Sequence, residues 1–464
     1  MKQFREHINT KIKEHELICK LARHAYSEYN IKKDRNDFFS RIKQINADQL
    51  FLDISNNPNM NVVILTIDCL RDSQLSYNQY YRDTTPFIDS IKGSKFKAIT
   101  SACWTYPSVA SILTGLYPHN HGAILTGKLK NVENPLKLTK IKNDKLTLFE
   151  LFYILGYRIY FRTAIDVAFY PLKGRVIPSK IPDIHHNNAE DLLDDLKRWI
   201  SKRGNKPFFA YVQLGDLHEP LNPPAGFRDF FGEVKNCPNI NSWDFKRREE
   251  QIGGRFQEYK ENRITLYDNA LKYVDYSIEG FYSFLKNSGL IDSTILIITA
   301  DHGEEFWEHA RLEAKNFYDP RGFCGVGHGH NVFNELIEVP LILSNPKLPN
   351  KKYDKLVSTT DISPTILDLL EVKHKLSFDG VNVFKSSEKR ALINEATGYG
   401  YEKKALYIGG FKLIYSKHDE IAWVFDLKKD PEEKNPITDD ELVRIFINKL
   451  NKMLTAKEAL KVLR

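Results

Sequence analysis

The chain is predicted to be an α/β protein with a mostly parallel sheet flanked by helices, followed by a small antiparallel sheet subdomain. Three observations predict this class. Apolar runs rich in β-branched residues recur along the 464 residues, and helical stretches separate these runs, as is typical of parallel sheets. After about residue 385, short segments of alternating polarity replace both patterns, which indicates antiparallel strands.

The first observation concerns four apolar runs with the length and composition of buried strands. An aspartate directly follows each of three runs, and an Asn-Pro pair follows the fourth. The runs cover residues 62–67, 207–215, 294–300 and 339–344, and the three aspartates are Asp68, Asp216 and Asp301. Because the carboxyl ends of parallel strands meet at one edge of a sheet, where ligands bind in α/β proteins, these acids predict a functional site there.

The second observation is the helical periodicity between and around the runs. Helices are expected at about residues 107–115, 144–155, 189–203, 258–288 and 361–371. We divide the chain into an N-terminal helical extension (1–57), a catalytic domain (58–385) and a C-terminal α+β subdomain (386–464) that ends in a helix from about Asp439. The extension is expected to pack on the main body, and a membrane-surface or oligomer-forming role is the alternative.

Composition narrows the class of protein. The net charge of +7, from 67 basic and 60 acidic residues, is small, and no block of lysine and arginine resembles a nucleic-acid arm. The five cysteines are scattered without a CxxC pair, which argues against a disulfide framework and a cysteine zinc site.

No apolar stretch reaches the roughly 18 residues of a membrane span, and the charged N-terminus lacks the apolar core of a signal peptide. We therefore expect a cytoplasmic protein, and its oligomeric state stays open.

A metal site is predicted where the third apolar run ends. Asp301 and His302 are adjacent there, and they offer a carboxylate and an imidazole to a divalent cation. Asp68, at the end of the first run, adds a second anionic oxygen at the same edge of the sheet.

Thr105 lies just before a predicted helix that has Pro107 in its first turn. The dipole and the free N–H groups of a helix N-terminus stabilise an oxyanion, and a metal-coordinated hydroxyl readily loses its proton. Thr105 is therefore a candidate nucleophile. The alternative is that Thr105 only caps the helix.

Histidines lie beside the same strand ends. His218 follows the second run, and His328 and His330 precede the fourth. Several imidazoles next to carboxylates indicate a site that binds a tetrahedral anion.

In order and spacing, these motifs resemble the sulfatase family of the alkaline phosphatase superfamily over about residues 60–435. The matching segments are residues 64–71, 84–89, 107–122 (with LTGLYPHNHG at its end), 216–220 (DLHEP), 301–304 (DHGE), 327–341, 360–365 and 411–433. The resemblance implies an alkaline phosphatase-like fold and a metal-dependent ester hydrolase or transferase.

One divalent ion is expected with this resemblance. An imidazole ligand favours manganese or zinc, and magnesium or calcium is possible. The expected metal ligands are Asp68, Thr105, Asp301 and His302. The candidates for holding a second ion are Asp216, His218 and His328.

The remaining roles follow from the chemistry of ester cleavage. Thr105 attacks the ester, and His218 or His328 protonates the leaving oxygen and then helps to activate the acceptor. His218, His330 and Arg71 are expected to bind the anionic substrate.

Departures from the family pattern indicate which kind of ester is cleaved. Sulfate-ester hydrolases of the family place a cysteine or serine two residues before the proline, where this chain has Thr105, and an arginine two residues after it, where this chain has Val109. Cys103 is out of register for conversion to formylglycine, and Cys69 replaces the second aspartate of the usual pair. A threonine ester lacks the second hydroxyl with which formylglycine hydrate expels sulfate, so water or an acceptor alcohol must cleave it.

These features favour a hydrolase or transferase that acts on phosphate esters or diesters, small or polymer-linked. A sulfate esterase that works without formylglycine is one alternative, and a binding or scaffold protein that keeps the fold is another. The loops at about residues 124–143, 166–187 and 221–256 are expected to shape the specificity pocket.

Overall fold

A seven-stranded sheet forms the centre of the protein. The computed structural model describes residues 31–45, 52–54, 60–177, 188–202, 204, 206–234, 242–387, 389–437 and 439–454. The strands of the sheet are β1 (Asn61–Ile67), β2 (Ser94–Ile99), β3 (Arg158–Thr163), β4 (Phe208–Leu214), β5 (Thr294–Thr299), β6 (Glu338–Ser344) and β7 (Lys351–Ser358). Their order across the sheet is β7-β2-β6-β5-β1-β4-β3.

Strand β1 lies inside the sheet and pairs in parallel with β4 on one side and β5 on the other. Every residue of β1 is buried, as its β-branched sequence predicts for a strand covered on both faces. The parallel pairing places the carboxyl ends of these three strands side by side. The structure thus confirms the predicted α/β class with its mostly parallel sheet.

The fourth apolar run forms β6, but this strand is antiparallel to both of its neighbours, β2 and β5. After β5 the chain stays near the carboxyl edge of the sheet, where the N–H of Gly303 donates to the carbonyl of Leu336 at 2.9 Å. It therefore enters β6 from the edge at which β5 ends, and β6 must run in the opposite direction.

Three strands of the sheet are not anticipated by the apolar pattern, namely β2, β3 and β7. The last two form the edges of the sheet. Polar and charged side chains interrupt all three, for example Lys95 and Lys97 in β2. Strands at or near an edge are less buried and therefore tolerate such residues.

The helices flank the sheet, and five of them match predicted helices to within five residues at either end. The helices from residue 86 onward are α1 (Pro86–Ser90), α2 (Thr105–Thr114), α3 (Pro118–His121), α4 (Leu148–Ile154), α5 (Asp166–Phe169), α6 (Ala189–Ser201), α7 (Gly253–Asn287), α8 (Ala310–Asn316), α9 (Asn334–Ile337), α10 (Ile362–Leu369) and α11 (Asp440–Met453). All residues of α2 are buried, and the long helix α7 packs against α6 and α1.

The C-terminal subdomain contains an antiparallel sheet, as predicted. Its strands, in their order across the sheet, are β8 (Leu392–Asn394), β9 (Lys404–Ile408), β10 (Phe411–Ser416) and β11 (Ile421–Asp426). Phe446 and Leu450 of α11 pack on Leu406, Leu413 and Val424 of this sheet in an apolar cluster of their own.

Three short antiparallel pairs join distant parts of the chain. They are Asp53–Ile54 with Val372–Lys373, Leu129–Asn131 with Tyr399–Tyr401, and Glu305–Phe306 with Val326–Gly327. The second pair connects the loop after α3 to the C-terminal subdomain.

Residues 31–44 are helical and pack on α4. The rings of Phe38 and Phe39 lie 5.3 and 5.7 Å from the ring of Tyr153, and Arg41 forms an ion pair with Glu150. The predicted helical residues 1–30 lie outside the described part of the chain. Within the described part, no helix combines the length and the apolar character that crossing a bilayer requires.

The turn after β5 depends on a glycine. The N–H groups of Gly303 and Glu304 donate to the carbonyls of Leu336 and Glu335, at 2.9 and 3.1 Å. A Cβ atom on Gly303 would lie 2.0 Å from the carbonyl oxygen of Glu335. Only glycine allows the backbone that carries His302 to pack this closely on the segment before β6.

We expect Gly303→Ala to lower the free energy of unfolding by about 1–3 kcal/mol, because the added methyl group must push two backbone segments apart. The matched control is Gly280→Ala in the exposed middle of α7, where a Cβ would meet only the end of Lys197 at 3.6 Å. That substitution should stabilise the protein by roughly 0.5–1 kcal/mol. Urea unfolding of the two variants measures both effects, and equal stability of the two variants would contradict this account of the turn.

Candidate metal and nucleophile site

Two aspartates and a glutamine meet at the carboxyl edge of the central sheet. Asp68 follows β1, Asp301 lies two residues after β5, and Gln213 belongs to β4. All three side chains are fully buried. The Gln213 amide donates from Nε2 to Asp68 Oδ2 at 2.7 Å and to Asp301 Oδ2 at 3.0 Å, so that one side chain bridges the two carboxylates.

The two carboxylates are too close to ionise independently. Burial opposes the ionisation of Asp68, but the nearby imidazoles, chiefly that of His302, outweigh it and lower the pKa of Asp68. Burial and the charge of Asp68 raise the pKa of Asp301 well above its usual value. The pair therefore resists ionisation of Asp301 while Asp68 is charged, and a divalent cation bound between the two carboxylates would relieve this repulsion.

His302 is oriented by its own backbone. Its Nδ1–H donates to the carbonyl of Gly303 at 2.8 Å, which leaves the lone pair of Nε2 for a ligand. This Nε2 lies 3.4 Å from Asp68 Oδ1 and 3.6 Å from Asp301 Oδ2. The ligand atoms of Asp68, Asp301 and His302 all lie within 4.8 Å of one another, and this set of two carboxylates and one imidazole fits a divalent ion.

Thr105 contacts this cluster directly. Its Oγ1 lies 3.1 Å from His302 Nε2 and 3.5 Å from Asp68 Oδ2. Thr105 is the first residue of α2, with Trp104 as the N-cap, so the helix begins earlier than Pro107 alone suggests. Trp104, and not Thr105, occupies the N-cap position, and no side-chain capping hydrogen bond forms there. The hydroxyl is therefore directed to the cluster of predicted metal ligands.

His218 and His328 lie next to His302. The ring centroid of His328 is 4.3 Å from that of His302 and 5.2 Å from that of His218. Burial and the two neighbouring imidazoles hold the pKa of His328 well below its usual value. Burial also opposes protonation of His218, but the charge of Asp68 and the carbonyl of Glu219 raise its pKa. The pKa values of the two imidazoles are thus shifted in opposite directions, which suits a proton donor and a proton acceptor.

The two other predicted substrate-binding residues have partners outside this cluster. Arg71 forms an ion pair with Glu308 at 2.7 Å and lies over the ring of Phe306. His330 Nε2 lies 3.0 Å from Glu305 Oε2 and 3.2 Å from Glu313 Oε1. Both side chains thus neutralise acidic groups, and their roles in substrate binding stay predictions.

Asp216, a predicted ligand for a second ion, faces the start of α6. Its Oδ1 accepts a hydrogen bond from the N–H of Ala189 at 3.1 Å, and burial raises its pKa to about 7. Among the described residues, the groups whose ligand atoms converge closely enough to hold a metal include His328 but neither Asp216 nor His218. The structure therefore does not bring the proposed second set together.

The structure adds three residues to the site: Gln213, which sequence reasoning missed, and Glu304 and Cys69, which it noted without assigning them a role. Gln213 was hidden in an apolar run, although a polar side chain within a buried strand signals a specific partner. Glu304 Oε1 lies 3.1 Å from His328 Nδ1. The thiol of Cys69 donates to Asp68 Oδ1 at 3.2 Å, and burial together with the charges of Glu304 and Asp68 raises its pKa well above the usual value. Cys69 therefore acts as a neutral hydrogen-bond donor where the family has an aspartate.

Comparisons with known proteins agree with this geometry. The family model described as Sulfatase matches residues 60–372, and the model described as N-sulphoglucosamine sulphohydrolase, C-terminal, matches residues 328–459. The first match covers the central sheet and all of the candidate site residues.

Individual relatives are distant. An arylsulfatase from Clostridium perfringens is 25% identical over 301 residues, which cover 59% of this chain and 57% of that protein. Lipoteichoic acid synthase 2 from Bacillus subtilis is 24% identical over 406 residues, which cover 83% of this chain and 57% of that protein. The chain thus spans little more than half the length of these two curated relatives.

The fold is shared with solved structures. The phosphonate monoester hydrolase of Agrobacterium radiobacter superposes with a TM-score of 0.65 at 17% identity, covering 85% of this chain and 95% of that one. Because the Sulfatase model matches well over half of the chain and the strand ends carry the expected residues, this protein belongs to the sulfatase family and has the alkaline phosphatase-like fold.

Proposed function

We propose that this protein is a metal-dependent hydrolase or transferase that acts on phosphate esters or diesters through Thr105. One observation carries the proposal: the Thr105 hydroxyl lies 3.1 Å from His302 Nε2 and 3.5 Å from Asp68 Oδ2, within the cluster of two carboxylates and an imidazole. Membership of a family of metal-dependent ester hydrolases supports the reaction class.

One divalent cation would be held by Asp68, Asp301, His302 and Thr105. The imidazole favours manganese or zinc, with magnesium or calcium as further candidates. When bound, the cation would supply a positive charge that lowers the pKa of the Thr105 hydroxyl and attracts the anionic substrate. The geometry supports this assignment, because the ligand atoms of Asp68, Asp301 and His302 lie within 4.8 Å of one another in a fully buried cluster.

The groups of the chain can then divide the chemistry between them. Thr105 reacts in its deprotonated form, after its hydroxyl proton has passed to solvent, and Oγ1 forms a bond to phosphorus while the bond to the leaving oxygen breaks. His218, whose Nδ1–H is engaged by the Glu219 carbonyl at 2.7 Å, donates a proton to that oxygen. His328 takes a proton from the water or alcohol that next attacks phosphorus, and this attack releases Thr105.

The nature of the nucleophile favours phosphate over sulfate. A threonine ester has no second hydroxyl through which it could expel sulfate, whereas attack by water or alcohol at phosphorus is ordinary chemistry. Val109 is fully buried in α2, so the position at which sulfate hydrolases of the family carry arginine provides no cation here. The name of the Clostridium relative supports the second candidate, a sulfate esterase.

The test is a substrate panel with manganese- or zinc-loaded protein and Thr105 variants. We expect turnover of aryl phosphate monoesters or diesters, a loss on the order of 1,000-fold or more in Thr105→Val, and retained activity in Thr105→Ser, because only serine keeps a hydroxyl. Steady-state rates measure these effects. Activity on aryl sulfates alone would overturn the choice of phosphate, and a fully active Thr105→Val would overturn the nucleophile.

A second test concerns the bridging amide. Gln213→Met removes the donor shared by Asp68 and Asp301, so the two carboxylates repel each other, and we expect manganese affinity to fall by roughly 10–100-fold. In the control Tyr211→Phe, the Gln213 amide loses only the hydrogen bond that Oε1 accepts from the Tyr211 hydroxyl at 2.8 Å. Isothermal titration with manganese compares the two variants, and a Gln213→Met affinity equal to that of the control would remove Gln213 from the site.

A further inference from the structure

A basic cavity lies apart from the carboxyl edge of the sheet, between the loop after α3 and the C-terminal subdomain. Its volume is about 360 Å³, which suits a small ligand. Four lysines line it against two glutamates, an excess of two positive charges. The six residues are Lys128, Lys130, Lys404, Lys417, Glu395 and Glu402.

The inner wall of the cavity is a buried charge network. The side chains of Lys404 and Glu395 are 9% and 2% exposed, and they form an ion pair at 2.5 Å. His119, also 2% exposed, contacts the other oxygen of Glu395 at 2.6 Å, and Lys130 lies 3.6 Å from Glu402. Glu395 is thus already paired with two neighbouring side chains. The network is a built wall of charged groups and not a chance patch of surface lysines.

The two lysines at the outer part of the cavity lack such neutralisation. In the described part of the chain, no carboxylate lies within 4.0 Å of Lys128 or Lys417 in an ion pair, although such pairs are common elsewhere. The pKa of His418, an exposed residue of the lining, is lowered by slight desolvation and then by the charges of Lys128 and Lys417, against an opposing effect of Asp419. Positive charge therefore predominates around His418.

We propose that this cavity binds an oxyanion, a phosphate or sulfate group, at a site separate from Thr105. Lys128 and Lys417 would contact the anion, because their charges have no counter-ion in the described structure. Lys404 and Lys130 would add positive electrostatic potential at the inner wall of the cavity. Apolar atoms of Pro118, Ile124 and Tyr415 complete the lining, so the cavity also has room for a compact organic group attached to the anion.

A hydrogen bond connects the cavity wall to the residue that precedes Thr105. The carbonyl of Ala396, in the cavity wall, accepts a hydrogen bond from Trp104 Nε1 at 2.6 Å, and Trp104 directly precedes Thr105. The cavity wall therefore contacts the residue before Thr105, and the anion would be either a second anionic group of a longer substrate or a free ion. The proposal of a binding site does not depend on the reaction proposed for Thr105.

The test is equilibrium dialysis of the metal-loaded 464-residue chain against labelled sulfate. The double variant Lys128→Gln/Lys417→Gln should bind one anion fewer per chain than the wild type. The control Lys385→Gln/Lys429→Gln removes the same charge from side chains that are 74% and 86% exposed, and it should bind as many anions as the wild type. Both variants should keep the wild-type rate on a small aryl ester, because none of the four lysines belongs to the Thr105 cluster.

Competition then identifies the source of the anion. A hexose phosphonate that displaces labelled sulfate at lower concentration than inorganic phosphate does would assign the cavity to an anion carried on an organic body. Equal displacement would assign it to a free ion. Unchanged stoichiometry in Lys128→Gln/Lys417→Gln, or equal losses in the control, would overturn the proposal, whatever the Thr105 variants show.

Discussion

The close approach of two buried carboxylates is the constraint on which the rest of the site depends. Asp68 and Asp301 end two neighbouring parallel strands, so the pairing of β1 with β5 forces them together. Two such groups without water around them require compensation. Gln213 in β4 compensates by donating hydrogen bonds to both carboxylates, and His302 lies beside them in the turn after β5. The Thr105 hydroxyl reaches the same cluster from the start of α2.

The same constraint organises the histidines. Negative charge on Asp68 raises the pKa of His218 against the effect of burial, whereas burial and the other imidazoles lower the pKa of His328. Two similar side chains therefore have pKa values shifted in opposite directions by their positions. Gly303 contributes indirectly, because the tight packing of its backbone on Glu335 fixes the turn that orients His302.

The residues at the strand ends could be predicted because sequence order and parallel pairing together determine where they meet. Asp68, Asp301 and His302 lie at the ends of apolar runs, and Thr105 lies just before a predicted helix. Gln213 was not recognised in the same way, because it lies inside an apolar run and not after one. Arg71 and His330 show the converse difficulty, because a cationic side chain near a site can serve a buried acid instead, as each does in pairing with glutamates. The edge strands β3 and β7 were not predicted, because their partial exposure removes the continuous apolar pattern of a buried strand.

The central claim is that Thr105 becomes covalently attached to the substrate's phosphoryl group. It is tested most directly by quenching the reaction of metal-loaded protein with an aryl phosphodiester within the first turnover and analysing the digested protein by mass spectrometry. The account predicts that the peptide containing Thr105 gains the mass of the transferred phosphoryl group, and that Thr105→Val shows no such gain. Attachment to a different residue during productive turnover would contradict it.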